Sequence, residues 1–327
     1  MKSISVLLTN GLILTGLIIT LSAAQEPAAP AMSKETAECI SCHETVSPGI
    51  VADWRKSRHA HHIPLEASGQ PALQRRVSAD NVPEPLNSIV VGCYECHSLN
   101  GPTHADTFDH LGYQIHVVVT PNDCKVCHPA EVTQYSTSKK AYAVENLNEN
   151  PVFHTLVETT LGIKEYQNGQ MVHLASSTSA REETCFACHG TVVSVSGMRT
   201  IHSPDLGEIQ VPLLLGWPNH GVGRVNPDGS LGACTSCHPR HSFSIEVARK
   251  PYTCGQCHLE PDVPAYNIYK ESKHGNLMMS KEKDTNWDAV PWKVGTDFQT
   301  PTCAGCHNSI AETGRPANDS CRQCHQP

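Results

Sequence analysis

The chain has few large aromatic side chains and no excess of positive charge. Phenylalanine, tryptophan and tyrosine make up 5% of its 327 residues, and the formal net charge is −8. A domain of this size ordinarily buries more large apolar side chains, so the composition predicts that something other than side chains fills part of the core. The acidic balance argues against nucleic acid and anionic membrane surfaces as partners.

Long apolar segments are also missing after the N-terminus. The first residues, MKSISVLLTNGLILTGLIITLSAAQE, place one lysine before an apolar stretch and small residues before Gln25. This pattern predicts a secretory signal peptide over residues 1–24 and a flexible leader over residues 25–32. An uncleaved membrane anchor is the alternative, because the apolar stretch approaches the ~20 residues that span a bilayer.

Cysteine occurs in one context only. The pattern Cys-x-x-Cys-His appears eight times, which uses all 16 cysteines and leaves none for a disulfide. It is the attachment signal for c-type haem, in which both cysteines form thioethers and the adjacent histidine ligates the iron. Zinc sites and redox cysteine pairs are the alternatives, but neither requires a histidine after every second cysteine. The motifs therefore predict eight covalently bound haems.

These motifs are spread along residues 33–327, which we expect to form one continuous haem-packed cytochrome unit with the porphyrins as its core. Haem is attached to such motifs outside the cytoplasm, so they agree with export to a bacterial periplasm. The predicted attachment residues are Cys39, Cys42, Cys93, Cys96, Cys124, Cys127, Cys185, Cys188, Cys234, Cys237, Cys254, Cys257, Cys303, Cys306, Cys321 and Cys324. The predicted proximal iron ligands are His43, His97, His128, His189, His238, His258, His307 and His325.

A repeated context marks two of the 12 histidines outside the motifs. His59 follows Trp54 by five residues, and His274 follows Tyr269 by five. Each lies sixteen residues after the histidine of its preceding motif (59 − 43 and 274 − 258). The equal offsets predict one unit used twice, made of haem motif, turn, helix and iron ligand. Gly275 is predicted to stop the second helix, and solvent-exposed histidines at helix ends are the alternative.

A third copy of this context differs at the ligand position. Tyr135 and Ser138 repeat the pattern, but Lys140 stands where the histidine is expected. A neutral lysine amine can bind iron, although most lysines stay protonated in water. The haem served by this segment is therefore predicted to be lysine-ligated or to have a vacant position for a small substrate. The alternative is that another histidine fills it.

His241 raises a separate question, because it follows the motif residue His238 by only three positions. If the segment is helical, His241 lies one turn on and can face a different iron. Packing against a haem propionate is the alternative. The further histidines predicted to ligate iron are His110, His116, His202 and His220.

One long segment resembles a known family. The run WPNHGVGRVNPDGS, residues 217–230, leads into the fifth motif and His241, and the sixth motif is followed by Pro261 and Asp262. This pattern closely resembles the octahaem hydroxylamine oxidoreductase family, most sharply over about residues 180–310. The resemblance implies a mostly helical fold with many loops, little β structure and haems in close-packed pairs.

The resemblance also implies a site. The fourth haem, held by Cys185, Cys188 and His189, would be the active one with an open distal side. The other seven would be bis-histidine electron carriers, and members of the family act on hydroxylamine, nitrite or hydrazine. The oxidative members carry a C-terminal tyrosine that cross-links to the active haem. This sequence stops at Pro327, so we expect no counterpart. Where relatives have an Asp-His pair, it has Asp262-Val263.

The sequence thus favours a periplasmic multihaem oxidoreductase that reduces nitrite or hydroxylamine rather than oxidising hydroxylamine. Lys140, His220 and Asp262 are expected to line the distal pocket of the His189 haem and to manage protons and charge. Other cytochromes or quinol-linked redox proteins would exchange its electrons. Membrane contact would come only from an uncleaved signal segment, and an oligomer is possible. The alternative is a non-catalytic relay of eight saturated haems.

Overall fold

The computed structural model describes residues 30–203, 206–261 and 263–308. Over these residues the chain forms short α-helices, long loops and three two-stranded ribbons. The predicted fold class, mainly helical with many loops and little β structure, is confirmed. None of the helices in these ranges is long and apolar enough to cross a membrane. Asp262 and the eighth motif, with Cys321, Cys324 and His325, lie outside the described residues.

The helices are short and follow one another closely along the chain. In the first half they are α1 Lys34–Val46, α2 Pro48–Lys56, α3 Pro64–Ser68, α4 Cys93–His97, α5 Pro121–Cys124, α6 Pro129–Ser136, α7 Ala143–Asn148 and α8 Pro151–Leu161. In the second half they are α9 Thr178–Glu183, α10 Cys185–His189, α11 Ile245–Arg249, α12 Pro251–Gly255, α13 Ala265–Glu271, α14 Lys273–Lys281 and α15 Cys303–His307. Short 3-10 turns lie at Arg58–Ala60, Leu86–Ser88, Gly101–Thr103, Cys234–Ser236 and Glu282–Asp284.

Several haem motifs fold as a single helical turn. The helices α4, α10 and α15 contain five residues each, and each is one complete motif. Residues three and four apart share one face of a helix. The turn therefore presents both cysteines and the histidine to the same side, which is the arrangement that thioether attachment requires.

The β structure consists of antiparallel hairpins. The ribbons pair β1 Thr107–His110 with β2 Tyr113–His116, β3 Ile163–Gln167 with β4 Gln170–Leu174, and β5 Ser194–Ser203 with β6 Gly207–Leu215. Asn168 and Gly169 join β3 to β4 with φ angles of 51° and 82°. Asn-Gly is the preferred sequence for a two-residue hairpin turn with positive φ at both positions.

Apolar side chains form separate small clusters in the described part of the chain. One cluster contains Ile40, Val51, Trp54 and Val90. A second contains Met278, Trp287, Trp292 and Phe298, and a third contains Val77, Ala79 and Val82. A domain usually has one contiguous apolar core. The divided clusters agree with the prediction that porphyrins supply the surface between them.

The two copies of the repeated unit have the same backbone at the serine before each histidine. Ser57 follows α2 with φ −73° and ψ 153°, and Ser272 follows α13 with φ −74° and ψ 160°. His59 then lies in the 3-10 turn Arg58–Ala60, and His274 is the second residue of α14. In both copies the helix ends before the serine, and the histidine belongs to a new turn.

The prediction that Gly275 stops a helix is wrong. Gly275 lies inside the first turn of α14, and its backbone N–H donates to Oγ of Ser272, which caps that helix. A Cβ at this position would lie 2.0 Å from the carbonyl oxygen of Tyr269. Glycine is therefore needed here for the close approach of two helices.

Candidate haem sites and candidate active site

Three motif histidines each face a second imidazole across a gap of nearly constant width. Two metal–nitrogen bonds of about 2.0–2.1 Å on opposite sides of one metal ion would place two imidazole centroids roughly 6.4 Å apart. The observed separations match that value, so these residues fit a haem iron between the rings. The pairs are His43 with His110 at 6.2 Å, His97 with His116 at 6.0 Å, and His128 with His59 at 6.3 Å.

The protonation of these rings also fits iron ligation. Burial lowers the pKa of His59 to about 4 and that of His97 to about 4. Both imidazoles are therefore neutral at ordinary pH, which is the form that binds a metal. Nδ1 of His97 lies 2.7 Å from the carbonyl oxygen of His116. Because that oxygen accepts a hydrogen bond from Nδ1–H, Nε2 of His97 is left to bind an iron.

The attachment cysteines of different motifs lie next to one another. In the free-thiol form, a hydrogen bond with Cys234 is the largest cause of the raised pKa of Cys124. A hydrogen bond with Cys303 likewise raises the pKa of Cys254. These contacts place the third motif beside the fifth and the sixth motif beside the seventh.

Two further contacts extend this arrangement. Burial and then a hydrogen bond with Cys188 raise the pKa of the Cys257 thiol to about 12. Burial and then the neighbouring Cys39 raise the pKa of Cys93 to about 11. The fourth motif therefore lies beside the sixth, and the first motif beside the second. Haems attached at these positions would be close neighbours.

The fourth motif is enclosed by a loop from the segment that carries the family resemblance. Backbone N–H groups of Val222 and Gly223 donate to the carbonyl oxygens of Cys188 and His189, each at 2.9 Å. Nδ1 of His189 lies 3.3 Å from the carbonyl oxygen of Ala143 at the start of α7. A carbonyl oxygen only accepts hydrogen bonds, so Nδ1 is the protonated nitrogen and Nε2 is left to bind an iron.

Glycines allow this enclosure. Gly190 follows the motif directly with φ +103°, and a Cβ there would lie 2.3 Å from the backbone nitrogen of Arg224. A Cβ at Gly221 would lie 2.1 Å from the backbone nitrogen of Gly190. The two backbones can approach this closely only because neither residue has a side chain.

A buried cation supports the same loop. The side chain of Arg224 is 1% exposed and donates to Oδ1 of Asn226 at 2.6 Å and to the carbonyl oxygen of Asn219 at 3.0 Å. Its guanidinium lies 5.2 Å from the ring centre of Trp217, and that of Arg240 lies 4.3 Å from the same ring. Burial and then Arg240 lower the pKa of Arg224 to about 10. Arg224 therefore remains charged, and the loop carries two cations.

Of the four predicted active-site residues, the structure brings the segments of His189, Lys140 and His220 to this region. Lys140 precedes α7, whose first residue contacts His189. After burial, Lys140 is the next largest cause of the lowered pKa of His258, so its ammonium lies toward the sixth motif. His220 belongs to the enclosing loop, and partial burial, Arg240 and Arg224 lower its pKa. The fourth predicted residue, Asp262, is not among the described residues.

The other predicted iron ligands are dispersed. His241 is one of the groups that lower the pKa of His97, so His241 lies near the second motif as well as near the fifth motif, which it follows in the sequence. His202 is exposed on β5 with Nδ1 3.5 Å from Glu208. The carbonyl oxygen of His274 accepts a hydrogen bond from Thr300.

Sequence reasoning missed two features of these sites. One is the carbonyl oxygen of Ala143, which no pattern could identify because any residue supplies it. The other is His104, which is buried against His116 between Asp106 and Asp123. Only its spacing of two residues from Asp106 could have drawn attention to it.

Comparisons with known proteins agree with the motifs. The family description "Seven times multi-haem cytochrome CxxCH" matches residues 229–326, and "Cytochrome c554 and c-prime" matches residues 123–210. A probable nitrite reductase–hydroxylamine oxidoreductase fusion protein of Kuenenia stuttgartiensis is 24% identical over 287 residues. That match covers 83% of this chain but 25% of the relative, so the chain spans about a quarter of that protein.

Two solved structures share the fold. A hypothetical multiheme protein superposes with a TM-score of 0.80 at 53% identity, over 87% of this chain and 55% of the other. A reducing HAO-like protein complex of Kuenenia stuttgartiensis gives a TM-score of 0.51 at 23% identity, over 84% of this chain and 41% of the other. The chain therefore spans about half the length of these structural relatives.

Proposed function

We propose that this chain, a multihaem c-type cytochrome, is an octahaem oxidoreductase of the hydroxylamine oxidoreductase type that reduces nitrite or hydroxylamine at the haem of the fourth motif. One observation carries the proposal. Nδ1 of His189 contacts the carbonyl oxygen of Ala143, which leaves Nε2 to bind a metal, and the loop that carries Arg224 encloses this motif. His43, His97 and His128 each face a second imidazole, so their haems are the first candidates for electron carriers.

The other haems are proposed to carry electrons. From the ring pairs, His110 would be the second ligand of the first haem, His116 of the second and His59 of the third. His202, His220, His241 and His274 remain the candidates for the other second positions. Two imidazoles saturate an iron, so such haems exchange electrons without binding substrate.

The contacts between cysteines of different motifs support a continuous relay. The first motif adjoins the second, the third adjoins the fifth, and the sixth adjoins both the fourth and the seventh. The Cys96 thiol, whose pKa burial raises to about 12, has Cys127 of the third motif among its neighbours. Besides burial, Cys254 of the sixth motif is among the causes of the raised pKa of Cys237 of the fifth, which joins the two groups of motifs. Electrons that enter at any of these haems would therefore have a short path to the fourth.

The residues near His189 suit a small nitrogen oxyanion. When bound, the haem supplies an iron for the substrate and electrons for its reduction. Arg240 and Arg224 place positive charge at the loop beside the fourth motif, which favours an anion and stabilises negative charge during reaction. His220 has a lowered pKa and is neutral at ordinary pH, so its ring nitrogen can accept or relay a proton. Lys140 can donate one, and Asp262 stays a candidate for the same role.

The choice of nitrogen compounds as substrates, and of reduction over oxidation, rests on similarity to other proteins. The Kuenenia stuttgartiensis protein is named for nitrite reduction and for hydroxylamine oxidoreductase. This resemblance, together with the cationic loop, favours reduction. We further propose a periplasmic location after export, other cytochromes or quinol-linked proteins as electron partners, and an oligomeric assembly.

A paired kinetic assay tests the proposal. The purified protein is supplied with a strong artificial electron donor and nitrite or hydroxylamine, and separately with an electron acceptor and hydroxylamine. Reduction faster than oxidation supports the proposal, whereas faster oxidation overturns the direction. Electron paramagnetic resonance of the oxidised protein should show one high-spin haem among low-spin haems, and His189→Ala should change the high-spin signal.

A non-catalytic electron relay is the second candidate. The sequence has 12 histidines outside the motifs, enough to saturate every iron. This function predicts that all haems are low-spin and that cyanide and nitric oxide perturb none of them. No turnover in either direction, together with that spectrum, would favour the relay.

A further inference from the structure

We propose that His104 is a positioning residue for the second haem: stacked on His116 and held between Asp106 and Asp123, it fixes the plane of the His116 imidazole at the iron. This inference rests on the proposed ligation of that haem by His97 and His116. It concerns a buried histidine that is neither a haem motif residue nor a predicted ligand.

The stacking is close and nearly parallel. The ring centroids of His104 and His116 lie 3.6 Å apart, and the planes differ by 6°. The His104 residue is 4% exposed and the His116 residue is 0% exposed. A ring packed flat against an imidazole in a buried site prevents that imidazole from rotating about its bond to a metal. The orientation of His116 is therefore coupled to the orientation of His104.

The orientation of His104 is in turn fixed at both ring nitrogens. Nδ1 lies 3.4 Å from Oδ1 of Asp106, and Nε2 lies 3.2 Å from Oδ1 of Asp123. Both contacts hold the ring in its plane, whichever nitrogen carries the proton. A ring held at two opposite corners has a single orientation.

The two carboxylates are themselves held by the backbone. Oδ2 of Asp106 accepts hydrogen bonds from the N–H groups of Val117 and Val118 at 2.9 and 2.8 Å. Oδ2 of Asp123 accepts one from the N–H of Thr120 at 2.8 Å. The segment that follows His116 and the helix α5 that carries part of the third motif are thus joined through His104. This places the support on rigid backbone rather than on mobile side chains.

The same residues do not suit a separate metal ion, although their donor atoms lie close together. The lone pairs of stacked, parallel rings point in parallel directions and cannot converge on one metal. Both nitrogens of His104 also face carboxylate oxygens. His116 has Nε2 3.6 Å from Oδ2 of Asp123, and neither of its ring nitrogens has a partner within hydrogen-bonding distance, so Nδ1 is left for a haem iron.

The first two variants separate the flat ring from its polar contacts. His104→Phe keeps a flat ring for stacking but removes both contacts with the carboxylates, whereas His104→Leu removes the flat ring as well. Intact mass gives the haem content, and electron paramagnetic resonance reports the relative orientation of the two ligand planes of each low-spin haem. We expect one low-spin component to shift in His104→Leu while the others stay unchanged. In His104→Phe that component should shift less, because the flat ring that stacks on His116 is kept.

The matched controls are His173→Phe and His173→Leu, which change an exposed histidine on β4. Unchanged signals in both His104 variants, with full haem content, would overturn the inference. The inference would also be overturned if the native protein held one equivalent of a metal ion other than iron and the His104 variants lost it. If His104→Leu loses the second haem, Asp106→Asn keeps the ring and the stack. A shift of the same component then supports the inference, and no shift rejects it.

One further variant separates this inference from the function on which it rests. His116→Ala should convert one low-spin haem to high spin. If it does not, the ligand assignment fails, and with it the role of His104. Turnover of nitrite or hydroxylamine is not a readout here, so loss of the proposed activity would leave the inference standing.

Discussion

The imidazole of His59 faces the imidazole of His128 with ring centroids 6.3 Å apart, although His59 follows the first motif and His128 belongs to the third. Phe243, near the fifth motif, packs edge-on against His59 at 5.1 Å. The first copy of the repeated unit therefore places its histidine opposite the histidine of another motif. This contact brings motifs that are distant in the sequence together.

Replacing His59 should change one haem only. His59→Ala removes the proposed ligand of the third haem, so we expect one low-spin haem to become high-spin in electron paramagnetic resonance. His59→Met should instead keep six ligands and raise one reduction potential, because a thioether ligand raises haem potentials. His61→Ala, two residues away and exposed, is the control. A spectrum identical to that of the native protein would contradict this ligand assignment.

His274 should behave in the same way because its preceding serine has the same backbone conformation as Ser57. His274→Ala is expected to produce one additional high-spin haem, distinct in its potential from that exposed by His59→Ala. Lys273→Ala, the neighbouring residue in α14, is the control. If the double variant gives no more high-spin signal than either single variant, the two histidines do not serve two separate haems.

Lys140 occupies the histidine position of the third repeat, and this can be tested by restoring the histidine. Lys140→His should reduce the high-spin signal if this segment faces an open iron, because a neutral imidazole binds iron at ordinary pH. Lys140→Met should lower kcat for nitrite or hydroxylamine reduction by about 100-fold if the ammonium stabilises the reaction. Lys139→Met is the neighbouring control. Full activity in Lys140→Met would remove the lysine from the site.

The glycine loop around the fourth motif should tolerate no side chain. Gly221→Ala places a Cβ 2.1 Å from the nitrogen of Gly190, so the loop must move away from His189. We expect the free energy of unfolding to fall by about 3 kcal/mol or more, as at other overpacked sites. That loss should be seen as a Tm lower by roughly 5–10 °C in thermal unfolding. Gly101→Ala, where a Cβ would meet nothing within 4 Å, should leave Tm unchanged. Equal Tm values would show that the enclosure is not rigid.

The haem count is a separate prediction. Intact mass of the mature protein should show eight haems, one for each motif in the sequence. The double variant Cys321→Ala and Cys324→Ala should carry one fewer and leave the remaining spectra nearly unchanged, since it removes a single attachment site. Seven haems in the native protein would mean that one motif is not used.

The haem motifs are local features, and sequence reasoning found them without difficulty. Covalent c-type haem and a mainly helical fold are confirmed, while the number eight stays a prediction. The prediction of one unit used twice agrees with the shared backbone conformation of Ser57 and Ser272. Gly275 was misjudged because its close contact with Tyr269 comes from the helix before it, and composition does not reveal such a contact.

The attachment chemistry follows from the motifs alone, because two cysteines and a histidine within one helical turn need no distant partner. The low aromatic content likewise predicts that side chains alone would make a poor core. Which histidine faces which motif depends on tertiary packing, since His59 reaches His128 and His116 reaches His97 from separate segments. The same packing places His104 between two carboxylates and the carbonyl oxygen of Ala143 beside Nδ1 of His189. Pairings of this kind depend on how loops pack around large prosthetic groups, and one-dimensional spacing does not encode them.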